Sequence, residues 1–263
     1  MFYPSHLEQR YELEGRLRDL FNQQAEDDAV PYRSPHSQPT VEKILQSLHL
    51  CPDDQILDLG CGDGWLCRTL STFCPEGAIV GLDISDNIVR RAREQSVGSE
   101  NILYTPGVAE EIPWAEDYFS RVISVESAYY WSSPENALRE IFRVIKPGSK
   151  IIFLLSLYGA NTLGSHPLEG LKGLVQIKSV QEWVEVLVGA GFSHVESECL
   201  ASQDSAPSFT SGATARSISH PRPLGLQGLE TLSPLLLSGI KPTSSLSDRV
   251  PQDSDFNPLP ILK

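Results

Sequence analysis

The sequence predicts an α/β protein built on a mostly parallel β-sheet. Short apolar segments alternate with longer segments whose apolar residues recur at helical spacing, which is typical of parallel strands joined by right-handed crossover helices. Residues 151–157, IIFLLSL, are apolar almost throughout, as expected for a strand buried on both faces of a sheet. The composition, 40% hydrophobic and 21% charged over 263 residues, is ordinary for one or two globular domains.

The elements follow in order along the chain. Residues 5–21 predict an amphipathic helix, because Leu13, Leu17 and Phe21 recur at helical spacing between charged residues. A proline-containing connector precedes a short helix that we expect to begin near Thr40. The strands that follow are predicted at residues 55–59, 78–83, 101–105, 121–126 and 150–157. The helices between and after them are predicted at residues 64–73, 86–96, 134–144 and 179–189.

The composition changes after residue 200, where serine and proline become frequent. One apolar segment, residues 233–240, is predicted to return to the sheet as a last strand. We therefore expect three parts, which are an N-terminal helix and lid segment, a main domain that carries a Ser/Pro-rich insertion, and a flexible tail. The N-terminal helix and lid segment is residues 1–39, the main domain is residues 40–242 with its insertion at 201–230, and the tail is residues 243–263.

Charge and cysteine usage exclude several classes of function. The chain has 34 acidic and 21 basic residues and a formal net charge of −13, which disfavours nucleic acid as a partner. The five cysteines contain no C-x-x-C pair and the histidines show no metal spacing, so we expect reduced thiols and no metal. No signal-peptide pattern and no apolar run long enough to span a bilayer is present, so a cytoplasmic protein without a membrane span is expected.

The strongest motif is ILDLGCGDGW, residues 56–65, in which a strand runs directly into Gly60, Gly62 and Gly64. Glycines allow a sharp turn and a close approach of a ligand to the backbone, and the following helix N-terminus offers free N–H groups. Such a turn after the first strand of an open α/β sheet binds nucleotides. The spacing is G-x-G-x-G, and Trp65 occupies the position of the third glycine of a dinucleotide fingerprint.

Two aspartates support a nucleotide-like ligand. Asp83 ends the second strand about 20 residues after the glycines, where a carboxylate accepts both ribose hydroxyls of NAD or of S-adenosylmethionine equally well. Asp58 lies inside an apolar strand, where a carboxylate needs a partner. That partner is either a ligand ammonium, reached through water or main chain, or the N–H groups of the loop itself.

These segments, with VAEEIPW, SRVISVESAYYW, EIFRVIKPGSKIIF and a later AGF, resemble the class I S-adenosylmethionine-dependent methyltransferases in order and spacing. The likeness covers roughly residues 40–200 and is closest to the small-molecule branch. It implies a Rossmann-like sheet of seven strands, six parallel and one antiparallel, with helices on both faces and residues 233–240 as the antiparallel strand. It also implies the cofactor S-adenosylmethionine, the product S-adenosylhomocysteine, and a small-molecule acceptor methylated at O, N or C.

The resemblance carries cofactor roles onto the first two strands. Asp83 would take the ribose hydroxyls, and Ile84 would pack on the adenine. The residues that would surround the methionine end of the cofactor are Asp58, Gly60, Cys61, Gly62 and Gly64.

Further roles fall after the third and fourth strands. Ala109 and Glu110 would lie along the adenine edge, and Glu126 would lie beside the methionine moiety and the acceptor mouth. Members of the family commonly read G-D-A-E where this chain has Val108 in place of the aspartate. Glu110 or main chain then replaces the contact with the adenine amino group, or the adenine is held more loosely.

Catalytic candidates cluster in residues 126–131, ESAYYW. Glu126 is a candidate general base and Tyr130 a candidate pocket residue, although methyl transfer needs a base only for an acceptor that carries a proton. The aromatic residues that follow either form a wall that stabilises a sulfonium or close the core beneath the N-terminal helix. The residues in question are Tyr129, Tyr130 and Trp131. Tyr32 and His36 are expected in the lid.

Two other functions remain open from the sequence. An NAD(P)-dependent reductase is disfavoured because the third glycine and a Y-x-x-x-K pair are missing. A catalytically degenerate methyltransferase-fold module that serves a partner is supported by Val108 and the Ser/Pro-rich stretch. The acidic balance mildly favours neutral or cationic acceptors over polyanions.

Overall fold

The computed structural model describes residues 6–26, 37–156, 158–159, 173–200 and 234–243. Within these ranges the strands are β1 (Gln55–Leu59), β2 (Ala78–Asp83), β3 (Ile102–Pro106), β4 (Phe119–Val125), β5 (Ile145–Leu155), β6 (Ser193–Cys199) and β7 (Leu235–Ile240). The helices are α1 (His6–Glu26), α2 (Ser37–Ser47), α3 (Trp65–Phe73), α4 (Asp86–Gln95), α5 (Pro134–Val144) and α6 (Val180–Gly189), with a short 3₁₀ turn at Ala128–Tyr130.

The strands form one seven-stranded sheet in the order β3-β2-β1-β4-β5-β7-β6. Strands β1 to β5 pair in parallel, and β7 pairs antiparallel with both β5 and β6. The predicted α/β class is confirmed, and so is the prediction that the segment near residue 235 supplies the antiparallel strand. The reversal of strand order on the two sides of β1 places the carboxyl ends of β1, β2 and β4 side by side.

Both faces of the sheet are buried, as the apolar run in β5 predicts. On one face, Leu57 and Phe153 pack in a cluster with Leu138 of α5 and Trp183 of α6. On the other face, Ile56 and its neighbours pack against α2, α3 and α4. Consecutive residues of β5 therefore point into different clusters, which explains why this strand shows no polar alternation.

The boundaries differ from the sequence predictions in two helices. α1 continues to Glu26 rather than ending near residue 21, because Asn22 makes tertiary hydrogen bonds. Its side-chain oxygen accepts from Ser85 Oγ at 2.6 Å and from the Asn87 backbone N–H at 3.1 Å. α2 begins at Ser37, so the predicted boundary between residues 39 and 40 falls inside a helix.

Strand β6 was not predicted. Its sequence, SHVESEC, holds few apolar residues because it is an edge strand that is only partly buried. A register shift between Ser193 and Glu196, with His194 at a φ of +49°, also interrupts its alternation. The helix before it, α6, lies close to its predicted range and begins with a capping box between Ser179 and Glu182.

Several predictions lie outside the described residues. They concern the insertion at 201–230, residues 244–263 of the tail, and the lid candidates Tyr32 and His36. Among the described helices, none combines the length and apolar character needed to cross a bilayer.

Candidate functional site

A cavity of about 330 Å³ lies at the carboxyl ends of β1, β2 and β4. Its floor is the glycine loop after β1. Its walls are the end of β2, the segment after β3, and residues 125–127 and 130–132 at and after the end of β4. Helix α1 closes the remaining side. The cavity therefore occupies the position at which open α/β sheets bind their ligands.

The glycine loop approaches the cavity with backbone rather than side chains. Gly60, Gly62 and Gly64 all have positive φ, at +80°, +54° and +78°. A Cβ on Gly60 would lie 2.3 Å from the Cβ of Ser127, and one on Gly64 would lie 2.2 Å from the hydroxyl of Tyr104. Both positions therefore require glycine for space as well as for backbone conformation.

Asp83 stands at the end of β2 with its carboxylate beside this loop. Its Oδ2 accepts the backbone N–H of Gly62 at 3.0 Å, and its Oδ1 accepts the N–H of Ser85 at 3.0 Å. Burial raises the pKa of Asp83, and the backbone hydrogen bonds partly offset that rise. Each carboxylate oxygen keeps further acceptor capacity, so the group fits the two adjacent hydroxyls of a ribose. Ile84 follows it in the cavity wall.

Asp58 lies behind the cavity wall rather than in it. Its side chain is buried, and its Oδ2 accepts a hydrogen bond from the thiol of Cys67 on α3 at 3.1 Å. Burial raises its pKa to about 7. The partner of this carboxylate is therefore a thiol, which neither sequence interpretation named. A contribution of Asp58 to ligand binding stays a prediction, and from this position it would be indirect.

Glu110 lines the cavity, but its carboxylate is already engaged. Its Oε1 accepts Ser132 Oγ and the backbone N–H of Ser133, both at 2.8 Å, and Ser133 is the N-cap of α5. Ser132 Oγ also lies 2.8 Å from Oε1 of Glu14 on α1. A hydroxyl carries one proton, so the two carboxyl groups compete for it unless one is protonated. Burial, helped by the charge of Glu14, raises the pKa of Glu110.

Of the alternatives for the adenine amino group, the Glu110 side chain is thus the less suited. Val108 and Ala109 line the same wall. Their backbone can bind the adenine amino group only through groups that are not already hydrogen-bonded within the local turn. Within that turn, the N–H of Glu111 donates to the Val108 carbonyl at 3.2 Å.

Glu126 follows β4 with a φ of +56°, a left-handed conformation that is costly for a residue with a side chain. Its Oε2 accepts the Tyr129 hydroxyl at 3.1 Å and the Ser156 backbone N–H at 3.0 Å. Ser156 Oγ donates to the other oxygen. Burial raises the pKa of Glu126, and these three donors oppose the rise. The carboxyl group is therefore fixed in orientation at the cavity wall.

The aromatic residues divide between the cavity and the core, and stabilisation of a sulfonium by them stays a prediction. Tyr130 lines the cavity, and its ring meets Phe21 of α1 edge to face at a centroid distance of 5.0 Å. Tyr129 lies behind it in the core, and Trp131 is buried in the same core while reaching the cavity. Burial, followed by the charge of Glu126, raises the pKa of Tyr130, so its phenol is neutral at physiological pH.

Helix α1 supplies a wall whose individual lining residues are not among the predicted site residues. Its amphipathic pattern predicted burial but carried no information on which surface the helix covers. Arg18 Nε donates to the Ile84 carbonyl at 3.1 Å, and Arg10 pairs with Glu14 and with Glu111, each at 2.6 Å. The cavity-lining residues of this helix are Glu14, Leu17, Leu20, Phe21 and Gln24.

Most predicted site residues come together at this cavity. Asp58, Gly64 and Tyr129 lie behind the wall instead. Within the described ranges, no group of three or more His, Cys, Asp or Glu side chains is arranged to hold a metal ion. The predicted residues that line the cavity are Gly60, Cys61, Gly62, Asp83, Ile84, Ala109, Glu110, Glu126, Tyr130 and Trp131.

Comparison with known proteins finds methyltransferases. A family model described as a methyltransferase domain matches residues 57–153. A malonyl-[acyl-carrier protein] O-methyltransferase of Herminiimonas arsenicoxydans is 29% identical over 167 residues, 60% of this chain and 60% of that protein. The 27-O-demethylrifamycin SV methyltransferase of Amycolatopsis mediterranei is 27% identical over 180 residues, 65% of each chain. The chain thus spans 60–65% of the length of these two curated relatives.

Among solved structures, a methyltransferase of Haloferax volcanii, determined in complex with the Trm112 methyltransferase activator, superposes with a TM-score of 0.69. It is 25% identical, and the match covers 84% of this chain and 97% of that chain. This likeness covers more of the chain than the family model does.

Proposed function

We propose that this chain, a member of the class I S-adenosylmethionine-dependent methyltransferase family, transfers a methyl group from S-adenosylmethionine to a small-molecule acceptor. The methylated atom of the acceptor is an O, N or C atom. The curated relatives named above support an acceptor of this general class, since their names specify a malonyl group and a rifamycin.

The observation that carries the proposal is the pairing of Asp83 with the glycine loop. One carboxylate binds the N–H of Gly62 in the loop and the N–H of Ser85 at the start of α4, which holds both its oxygens at the cavity wall. A nucleoside whose ribose hydroxyls bind Asp83 would extend from there across the backbone of Gly60 and Gly62. Its base would lie toward Ile84 and Ala109.

The chemistry that S-adenosylmethionine supplies is a methyl group bonded to a positively charged sulfur. The protein has to hold the acceptor atom about 3–3.5 Å from that methyl group and in line with the bond that breaks. Helix α1, with the Phe21–Tyr130 contact, forms the wall of the cavity that we assign to the acceptor side. Glu126 and Tyr130 are the residues that we assign to the acceptor end.

Calorimetric titration tests the cofactor assignment. The purified protein is titrated with S-adenosylmethionine, S-adenosylhomocysteine and NADH, and the same titrations are made with Asp83→Asn. We expect micromolar binding of the two sulfur ligands, at least 10-fold weaker binding by Asp83→Asn because charge-assisted hydrogen bonds are lost, and no binding of NADH. Asp53→Asn, at an exposed position before β1, is the matched control and should bind like the wild type.

The other outcomes separate the alternatives. Binding of NADH with no binding of either sulfur ligand would favour a nicotinamide-dependent reductase. If none of the three ligands binds, the chain shares the family fold without its chemistry, and a partner module becomes the better hypothesis.

A further inference from the structure

The charged side chains that line the cavity, in the part of the chain that the structure describes, are carboxylates. They come from five different segments, namely α1, the glycine loop, the end of β2, the segment after β3 and the end of β4. A cavity whose walls carry charges of one sign in a low-dielectric surrounding focuses the electric field and concentrates ligands of the opposite charge. The five residues are Glu14, Asp63, Asp83, Glu110 and Glu126.

Two of these carboxylates occupy different parts of the wall. Asp83, at the end of β2, serves the ribose side. Glu126 follows β4, and since β1 lies between β2 and β4, the two residues stand on opposite sides of the glycine loop. S-adenosylmethionine brings one sulfonium, one ammonium and one carboxylate, a net charge of +1. Glu14 is already paired with Arg10, but Asp83 and Glu126, when both are ionised, carry one negative charge more than the cofactor neutralises.

The carboxyl group of Glu126 is fixed in orientation. Three hydrogen-bond donors, from the Ser156 backbone, the Ser156 side chain and Tyr129, point at its carboxylate. Acceptance of three donors favours the ionised form of a carboxyl group. Its left-handed backbone conformation is strained, and such strain recurs at ligand-binding positions.

An aromatic surface adjoins this carboxyl group. The Tyr130 ring, neutral and held against Phe21 and Tyr129, lies next to Glu126 at the cavity wall. A cation over such a ring is attracted by the ring quadrupole, and the attraction grows when the site excludes water. A carboxylate beside an aromatic face is a combination that suits an ammonium group.

We infer that the methyl acceptor is an amine, recognised as an ammonium by Glu126 and the ring of Tyr130. This inference rests on the proposed methyltransferase function. In the reaction the ammonium gives one proton to the Glu126 carboxylate, and the freed nitrogen lone pair forms the new N–C bond. The C–S bond breaks, its electron pair stays on sulfur, and the proton passes from Glu126 to solvent.

Binding of three matched probes tests the inference. They are 2-phenylethylamine, 2-phenylethanol and 3-phenylpropanoate, which are similar in size and differ in charge, each titrated into protein saturated with S-adenosylhomocysteine. We expect the amine to bind at least 10-fold more tightly than the carboxylate, since a charge-assisted hydrogen bond to Glu126 favours it. Glu126→Gln should weaken amine binding about 10-fold and change binding of the alcohol less than twofold.

Two further variants keep this result interpretable. Glu126→Asp retains the charge and should keep most of the preference for the amine. Glu76→Gln, at an exposed position before β2, is the matched control and should bind the probes like the wild type. Circular dichroism and urea unfolding show that each variant is folded, independently of any contact between Glu126 and S-adenosylhomocysteine.

Transfer of a tritiated methyl group from S-adenosylmethionine is then measured with separate pools of amines, phenols and carboxylic acids. Methylation in the amine pool that falls at least 10-fold in Glu126→Gln supports the inference. Methylation confined to the phenol or acid pool, no methylation of any amine, or binding of the carboxylate as tight as that of the amine overturns it. Failure of the proposed function is distinct, because it appears earlier as absence of S-adenosylhomocysteine binding, and the inference then falls with it.

Discussion

Replacement of Gly60 by alanine should destabilise the fold in two ways, through backbone strain and through steric overlap. At a φ of +80°, the left-handed conformation of an alanine destabilises the folded state by about 1–2 kcal/mol. Its Cβ would also lie 2.3 Å from the Cβ of Ser127 and 2.4 Å from its Oγ, where about 3.5–4 Å is the normal separation. Overpacking of this kind costs about 1–3 kcal/mol. We therefore expect Gly60→Ala to lower the free energy of unfolding by about 2–5 kcal/mol.

Ser127 is poorly able to move away from the new methyl group. Its hydroxyl donates to the Leu59 carbonyl at 2.7 Å and lies 2.6 Å from the hydroxyl of Ser124. Displacement would break these hydrogen bonds as well as shift the residue that follows Glu126. The loss of stability should therefore be accompanied by weaker binding of S-adenosylhomocysteine.

Urea unfolding followed by circular dichroism measures the effect. Gly62→Ala is the matched control, because Gly62 also has a positive φ, +54°, but no atom lies within 4 Å of an added Cβ. It should lose only the backbone cost of about 1–2 kcal/mol. Adding Ser127→Gly to Gly60→Ala removes the clashing side chain and should restore part of the stability. Equal losses for Gly60→Ala and Gly62→Ala would refute the steric argument.

Three more predictions concern stability. Leu17→Ala, at a buried position of α1, should cost about 2–4 kcal/mol in urea unfolding, whereas Leu7→Ala, 53% exposed on the same helix, should change it by less than about 0.5 kcal/mol; equal effects would mean that α1 is not packed as described. Burial raises the folded-state pKa of Asp58 to about 7, above its unfolded value, so the unfolded chain releases this proton at lower pH than the folded chain does. The stability that the neutral form contributes, up to about 4 kcal/mol, is therefore lost as the pH rises from about 4 to 7. Asp58→Asn should flatten that part of a pH series of unfolding curves, and an unchanged slope contradicts the assignment. Gly15→Ala, within α1 and with open space around the added Cβ, should raise the free energy of unfolding by about 0.5–1 kcal/mol.

The central part of the fold could be predicted because local signals and tertiary environment agree there. The apolar run in β5 has one explanation, burial on two faces, and the structure confirms it. The loop at Gly60 was recognisable because its conformation and its lack of space both demand glycine. Asp83 could be placed for a similar reason, since an acidic residue at the end of the second strand has few alternative uses.

The remaining features depend on contacts between distant segments. β6 exists as a strand because β7 pairs with it, and its own sequence of partly exposed residues carries little strand signal. The role of α1 is decided by where its apolar face docks, which the helical period of Leu17 and Phe21 does not encode. Glu110 was expected at the ligand, yet its carboxylate binds the N-cap region of α5, a partner 22 residues away in sequence that no spacing rule indicates.

The position of β7 has a consequence for how the chain is made. In the finished sheet β7 separates β5 from β6, although it follows both in the sequence. When synthesis has reached Cys199, one edge of the apolar strand β5 has no neighbour, and residues 193–199 have no strand to join. The sheet cannot be completed until residue 240 has left the ribosome. The nascent chain therefore carries an unpaired, aggregation-prone strand edge for the time needed to translate some forty residues. A chain terminated shortly after residue 200 would keep that edge permanently and is expected to aggregate.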